Sequence, residues 1–153
     1  MKLRNFILMI CLCCSFSVFA QEDVLDKLSD MDGVTAVYIS KNMFGTIGSM
    51  DMGGLDISKV SDKIEAMQVL TANEPKALRT MKAEAEKMVK GKDYEVMMKV
   101  KDSDSKVVFY TKKQNDKIKE LLMIVDEIPK EFTIIQLKGT LSLKEIQDIT
   151  NQK

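Results

Sequence analysis

The chain has 153 residues, 23 basic and 23 acidic side chains for a formal net charge of zero, and a hydrophobic fraction of 45%. This composition is typical of one globular domain and excludes a disordered tail or a collagen-like repeat. The chain contains no histidine, which excludes Ser-His-Asp triads, Cys-His pairs and imidazole zinc sites.

The amino-terminal residues have the pattern of a secretory signal peptide. Two cations precede an uncharged, mostly apolar run over residues 6–20, which ends in Val18-Phe19-Ala20 before the first acidic residues. This pattern predicts cleavage after Ala20 and one exported domain over residues 21–153, in the periplasm or outside the cell. At about 1.5 Å per residue the run falls short of the roughly 30 Å hydrocarbon core, so we do not expect an integral membrane protein.

All three cysteines, Cys11, Cys13 and Cys14, lie in this leader. The exported domain is therefore expected to contain no disulfide and no thiol nucleophile. A lipoprotein anchor requires a small residue before the modified cysteine, and these cysteines follow isoleucine, leucine and cysteine. Lipidation is for that reason disfavoured.

Hydrophobic spacing predicts the first elements in chain order. One helical face collects the apolar residues Val24, Leu25, Leu28 and Met31, and Asp32-Gly33 then marks a turn. The next run, residues 34–40, is apolar on both faces, which is typical of a central strand covered on both sides. Residues 41–54 combine helical spacing with four glycines, which predicts a short helix followed by a mobile loop.

Two further helices are predicted in the middle of the chain. Asp56 is a candidate N-cap for the first of these helices. The apolar stripe of this helix is Ile57, Val60, Ile64 and Met67, and a brief strand at residues 68–71 follows it. Pro75 favours the first turn of the second helix, and Gly91 favours its end. The apolar stripe of this helix is Leu78, Met81, Ala85 and Met88.

The rest of the chain predicts an antiparallel meander and a last helix. Polar turn residues separate four strand-like runs, which cover residues 94–101, 106–113, 118–126 and 131–137. Ser142 and Glu145 have the spacing of a capping box. We therefore predict an α+β fold with a mixed sheet, whose C-terminal half is the four-strand antiparallel meander, and three or four helices packed mainly on one face.

These segments resemble the family of domains of unknown function numbered 4252, which comprises small exported proteins of the bacterial envelope. The resemblance rests on residues 31–41 with Met43-Phe44, on Phe109-Tyr110 with Lys112-Lys113, and on residues 94–101, 118–126 and 132–143. It covers nearly the whole mature chain. Because the family has no established catalytic or binding residues, the resemblance implies a compartment but no site.

Methionines form the candidate metal site. Met50 and Met52 flank one aspartate beside Gly53-Gly54, and Met43 is the candidate third thioether. Thioether sulfur suits Cu(I), so binding of a small ligand or Cu(I) by the loop of residues 43–54 is the alternative function. Methionine is also an adaptable filler of protein cores, and we predict no resident cofactor.

Other chemistries have simpler explanations in this sequence. No catalytic motif is present, and solvated helix faces account for the paired acidic residues, so we do not expect an enzyme. Lysines concentrate between residues 99 and 119, where they suit an acidic partner or simply a solvated sheet. The mature chain has one arginine, Arg79, and we expect no nucleic-acid binding.

The strand predicted at residues 118–126 is apolar on both faces. One alternation contains Ile118, Leu122 and Ile124, and the other contains Leu121, Met123 and Val125. Unless helices wrap both sides of the sheet, a homodimer partner, another envelope protein or an apolar ligand must cover the second set. We therefore predict a non-catalytic protein-interaction module with Leu121, Met123 and Val125 as its interaction surface.

Overall fold

Antiparallel strands form one sheet in the computed structural model of the chain, which describes residues 23–47, 57–91 and 93–150. In chain order the described strands are β1 (Val34–Ser40), β2 (Ile64–Ala72), β3 (Tyr94–Lys101), β4 (Ser105–Gln114), β5 (Lys117–Glu127) and β6 (Glu131–Leu141). Their order across the sheet is β1-β2-β6-β5-β4-β3. The α+β class and the meander from β3 to β6 are confirmed.

Helices and one short turn connect these strands. The helices are α1 (Val24–Ser29), α2 (Lys41–Ile47), α3 (Pro75–Val89) and α4 (Leu143–Thr150), and a 3₁₀ turn covers Ser58–Val60. None of the described helices has the length and apolar character needed to cross a membrane.

The sheet is antiparallel throughout, although a mixed sheet was predicted. α3 follows β2 in the chain and connects it to β3, which lies at the far edge of the sheet. It does not connect β2 to a neighbouring parallel strand. The meander then returns strand by strand, and β6 pairs antiparallel with β2. No described pair of neighbouring strands is joined by the crossover connection that parallel pairing requires.

A 3₁₀ turn at Ser58–Val60 and the start of β2 at Ile64 occupy the segment where a helix was predicted from Ile57 to Met67. Ile64 and Met67 both lie on β2 and are buried in the same core cluster. A register irregularity between Ile64 and Ala66 interrupts the alternation of the strand, so residues three apart share one face. The three-residue spacing of Ile64 and Met67, which resembled a helix in the sequence, is therefore produced by a β-bulge.

Each face of the sheet has its own core, whereas helices were predicted mainly on one face. Phe44 of α2 and Ile146 of α4 pack in one cluster with Met67 of β2, and we name this side the α2/α4 face. The other side is the α1/α3 face, where Leu28 of α1 and Met81 of α3 pack in a second cluster. Helices thus lie on both sides of the sheet.

The predicted capping box at the start of α4 is confirmed. The Ser142 N–H donates to Glu145 Oε2 at 2.8 Å, and the Glu145 N–H donates to Ser142 Oγ at 3.4 Å. Lys63 pairs with the same carboxylate. The hydrogen bond from Lys63, followed by those from Ser142, lowers the pKa of Glu145 to about 2.

Candidate functional site

The residues predicted as an interaction surface lie inside the molecule. Leu121 and Met123 expose only 1% and 3% of their surface, and Val125 is half-buried on the same α2/α4 face. In the ladders, Met123 pairs with Phe109 on one side and Ile135 on the other. These side chains pack against other parts of the same chain. The exposed apolar side chains of the sheet lie on its edge strands, β1 and β3.

Only one of the three candidate copper ligands lies in the described part of the chain. Met43 is exposed on α2, while Met50 and Met52 lie outside the described residues. Within the described ranges, no group of three or more histidine, cysteine or carboxylate residues is arranged to hold a metal ion. Cu(I) binding by the loop of residues 43–54 stays a prediction.

The strand predicted to be central and covered, β1, is an edge strand. Among the described strands it pairs with β2 alone, in a register that sets Val37 opposite Val69. Val37 and Tyr38 expose 47% and 67% of their surface, and as neighbours on a strand they point to opposite faces. Apolar residues on both faces, which usually indicate burial, here belong to a strand with one open side.

The two edges of the sheet differ in their protection. β3 carries Glu95, Lys99 and Lys101, and its pairing with β4 is irregular between Val96 and Met98. Charges and bulges of this kind prevent an edge from pairing with another strand. β1 has no charged residue, and its register with β2 is continuous from one end to the other. Of the two edges that the described strands form, β1 is therefore the unprotected one.

Charged side chains lie just beyond the two ends of β1. Asp32 precedes the strand, Lys41 follows it, and both are exposed. Between them the outward N–H and C=O groups of an edge strand are available to an added strand. The edge therefore has an uncharged centre, an acidic beginning and a basic end.

A polar cleft on the α1/α3 face is a second candidate site. It has a volume of about 310 Å³ and lies between the start of α1, the end of α3 and four strands. The described residues that line it supply three carboxylates, one ammonium group and several apolar atoms. They are Asp23, Val24, Met88, Asp93, Tyr94, Lys112, Glu120 and Gln136.

Glu120 is the buried carboxylate of this cleft, with 9% of its surface exposed. Its Oε1 accepts a hydrogen bond from Gln136 Nε2 at 2.7 Å and another from the Tyr94 hydroxyl. Burial, followed by the hydrogen bond to Glu120, raises the pKa of Tyr94. The phenol consequently stays protonated and acts as a donor to the carboxylate.

Two ion pairs flank this hydrogen-bonded group. Lys138 Nζ lies 2.8 Å from Asp23 Oδ2, and Lys112 Nζ lies 3.3 Å from Asp93 Oδ2. Burial alone would raise the pKa of Asp23, but the hydrogen bonds from Lys138 and the Leu25 N–H outweigh it, so that the pKa is lowered.

Sequence reasoning missed this cleft, although one signal was present. Glu120 falls between Ile118 and Leu122 in an otherwise apolar alternation, and a single charge in such a run indicates a buried polar site. Asp23 and Asp93 give no such signal, because only the fold brings them beside the strand.

Comparison with known proteins gives one match. A family model described as "Domain of unknown function (DUF4252)" matches residues 27–149, which include all the described strands. No curated protein matches the chain, and no solved structure does.

Proposed function

This chain belongs to the DUF4252 family of domains of unknown function, and from its geometry we propose that it is a non-catalytic protein-interaction module of the bacterial envelope. The module binds an extended segment of another protein molecule along β1. The observation that carries this proposal is the unprotected, uncharged edge of that strand. Support for export comes from the signal-peptide pattern of residues 1–20.

Strand addition uses the backbone of β1 for affinity and its side chains for selectivity. An added strand satisfies the outward N–H and C=O groups of the edge. On the α2/α4 face it meets Val37, and on the α1/α3 face it meets Ala36 and Tyr38, all of which are exposed. Covering these apolar atoms contributes about 25 cal/mol for each Å² removed from water.

A second copy of the chain has the right chemistry to be the added strand. In an antiparallel pair centred on Val37, Tyr38 faces Ala36 of the second copy, and Ile39 faces Thr35 of it. The same register brings Lys41 of each copy beside Asp32 of the other, so unlike charges meet at both ends. Such a pair is symmetric, as most homodimers are, and it joins the two sheets into one.

We expect light scattering to measure the mass of a dimer for the purified protein. Val37→Lys should give a folded monomer, with self-association weakened at least tenfold, or about 1.4 kcal/mol. The matched control is Val96→Lys, because Val96 is also exposed on an edge strand, β3; it should remain a dimer.

The outcomes of this measurement separate the two kinds of partner. A native monomer excludes the second copy and leaves a different protein as the donor of the strand. A dimer that Val37→Lys leaves intact, or that Val96→Lys weakens equally, contradicts the assignment to β1.

A further inference from the structure

We propose that the polar cleft on the α1/α3 face binds a small organic monocation, with a primary ammonium or guanidinium group attached to a short apolar chain. This proposal does not depend on the function assigned to β1, because it rests on different residues. It follows from the charges, the burial and the shape of the cleft.

Among the described side chains around the cleft, three carboxylates face two ammonium groups. Asp23 is paired with Lys138 and Asp93 with Lys112. Both lysines are also cross-strand neighbours of Glu120 in the ladders of β5, yet their ammonium groups pair with the two aspartates. Among the residues that the structure describes, Glu120 has hydrogen bonds to neutral groups and no ion pair. Among these described groups, Glu120 is the one carboxylate without an ion pair, and Lys138 interacts with its charge over a longer distance.

The burial of Glu120 makes this surplus charge significant. Both of its hydrogen bonds end on Oε1, and within the described part of the chain no donor is bonded to Oε2. A carboxylate that is nine-tenths buried and has no ion pair has lost most of its contact with water. Buried charged groups of this kind are concentrated at binding and catalytic sites. An ammonium group bound at Oε2 would satisfy both the hydrogen-bonding capacity and the charge.

The walls of the cleft set the size of the ligand. The volume of about 310 Å³ lies at the lower end of the roughly 300–1,000 Å³ that is usual for small-molecule sites. Val24, Met88 and the Tyr94 ring supply apolar contacts for a short chain. Met88 also belongs to the last turn of α3, where the negative end of the helix dipole favours a cation.

The probe for this site is n-butylammonium, with 1-butanol and butyrate as matched neutral and anionic controls. In a titration of the whole protein followed by NMR, we expect saturable shifts at Tyr94 and Gln136 with n-butylammonium. The two controls should bind at least tenfold more weakly. Glu120→Gln, which keeps the hydrogen-bonding shape and removes the charge, should weaken binding of the ammonium at least tenfold.

Variants at two exposed positions, Lys112 and Asp93, test the proposal without disturbing the folded core. The side chain of Lys112 is 41% exposed, so Lys112→Gln should fold, and it should tighten binding because a competing ammonium is removed. Asp93→Asn, on a side chain that is 69% exposed, should weaken binding. The proposal is overturned if n-butylammonium binds no more tightly than 1-butanol, or if Lys112→Gln weakens its binding.

Discussion

Met123→Lys is expected to destabilise the chain strongly, because its side chain lies in the core between Phe109 and Ile135. Met123 exposes 3% of its surface, and a lysine there must either bury an unpaired ammonium or give up its proton. We expect a loss of about 4 kcal/mol in the free energy of unfolding, against a typical total of about 5–15 kcal/mol. Urea denaturation followed by circular dichroism measures this loss.

Met123→Leu is the matched control for this position. It conserves apolar volume, so its cost should be less than about 1.5 kcal/mol. If Met123→Lys were as stable as the native protein, the site would be open to solvent in solution. In that case Leu121, Met123 and Val125 would again be candidates for the interaction surface.

Gly139→Ala is expected to destabilise the chain by about 2–4 kcal/mol, because an added Cβ collides with backbone. That Cβ would lie 2.4 Å from the Lys63 carbonyl oxygen and 3.2 Å from the Ile64 Cα. The same carbonyl accepts a hydrogen bond from the Thr140 N–H at 3.2 Å. Gly139 of β6 pairs with Ile64 beside the bulge in β2. The two strands must therefore move apart to relieve the collision.

Gly91→Ala provides the comparison for this substitution. Its Cβ would lie 3.2 Å from the Met88 carbonyl oxygen, a contact that a shift of a few tenths of an ångström relieves. We expect a change below about 1 kcal/mol in the free energy of unfolding, measured in the same urea titration. Equal losses in the two variants would contradict the close approach of β2 and β6.

Local patterns predicted those parts of the fold that depend on local chemistry. Pro75 begins α3, Ser142 and Glu145 form the box that opens α4, and the meander occupies the predicted runs. Each of these features follows from hydrogen bonding or turn preference within a few residues. The resemblance to the family is confirmed by the match over residues 27–149.

The features that sequence reasoning missed depend on contacts between distant residues. The bulge in β2 mimicked helical spacing, because Ile64 and Met67 share a face only when paired with β6. The uncharged run of β1 predicted burial, but periodicity does not distinguish a strand buried within its own chain from one open to another molecule.

The candidate sites were predictable to different degrees. Glu120 was visible as a charge within an apolar strand, whereas its partners come from β3 and β6. Leu121 and Met123 were predicted as part of an interaction surface, and the described structure shows them buried within the chain. The open edge of β1 was not identified, because strand order across a sheet is not encoded in periodicity.

Photo-crosslinking in the producing cells tests the central role of β1 most directly. A benzoylphenylalanine placed at Tyr38, which is 67% exposed on β1, is compared with one at Val100, which is 50% exposed on β3. We expect a protein adduct from Tyr38 and none from Val100, and the mass of the adduct identifies a second copy or a different protein. No adduct at Tyr38, or equal adducts at both positions, would contradict binding along β1.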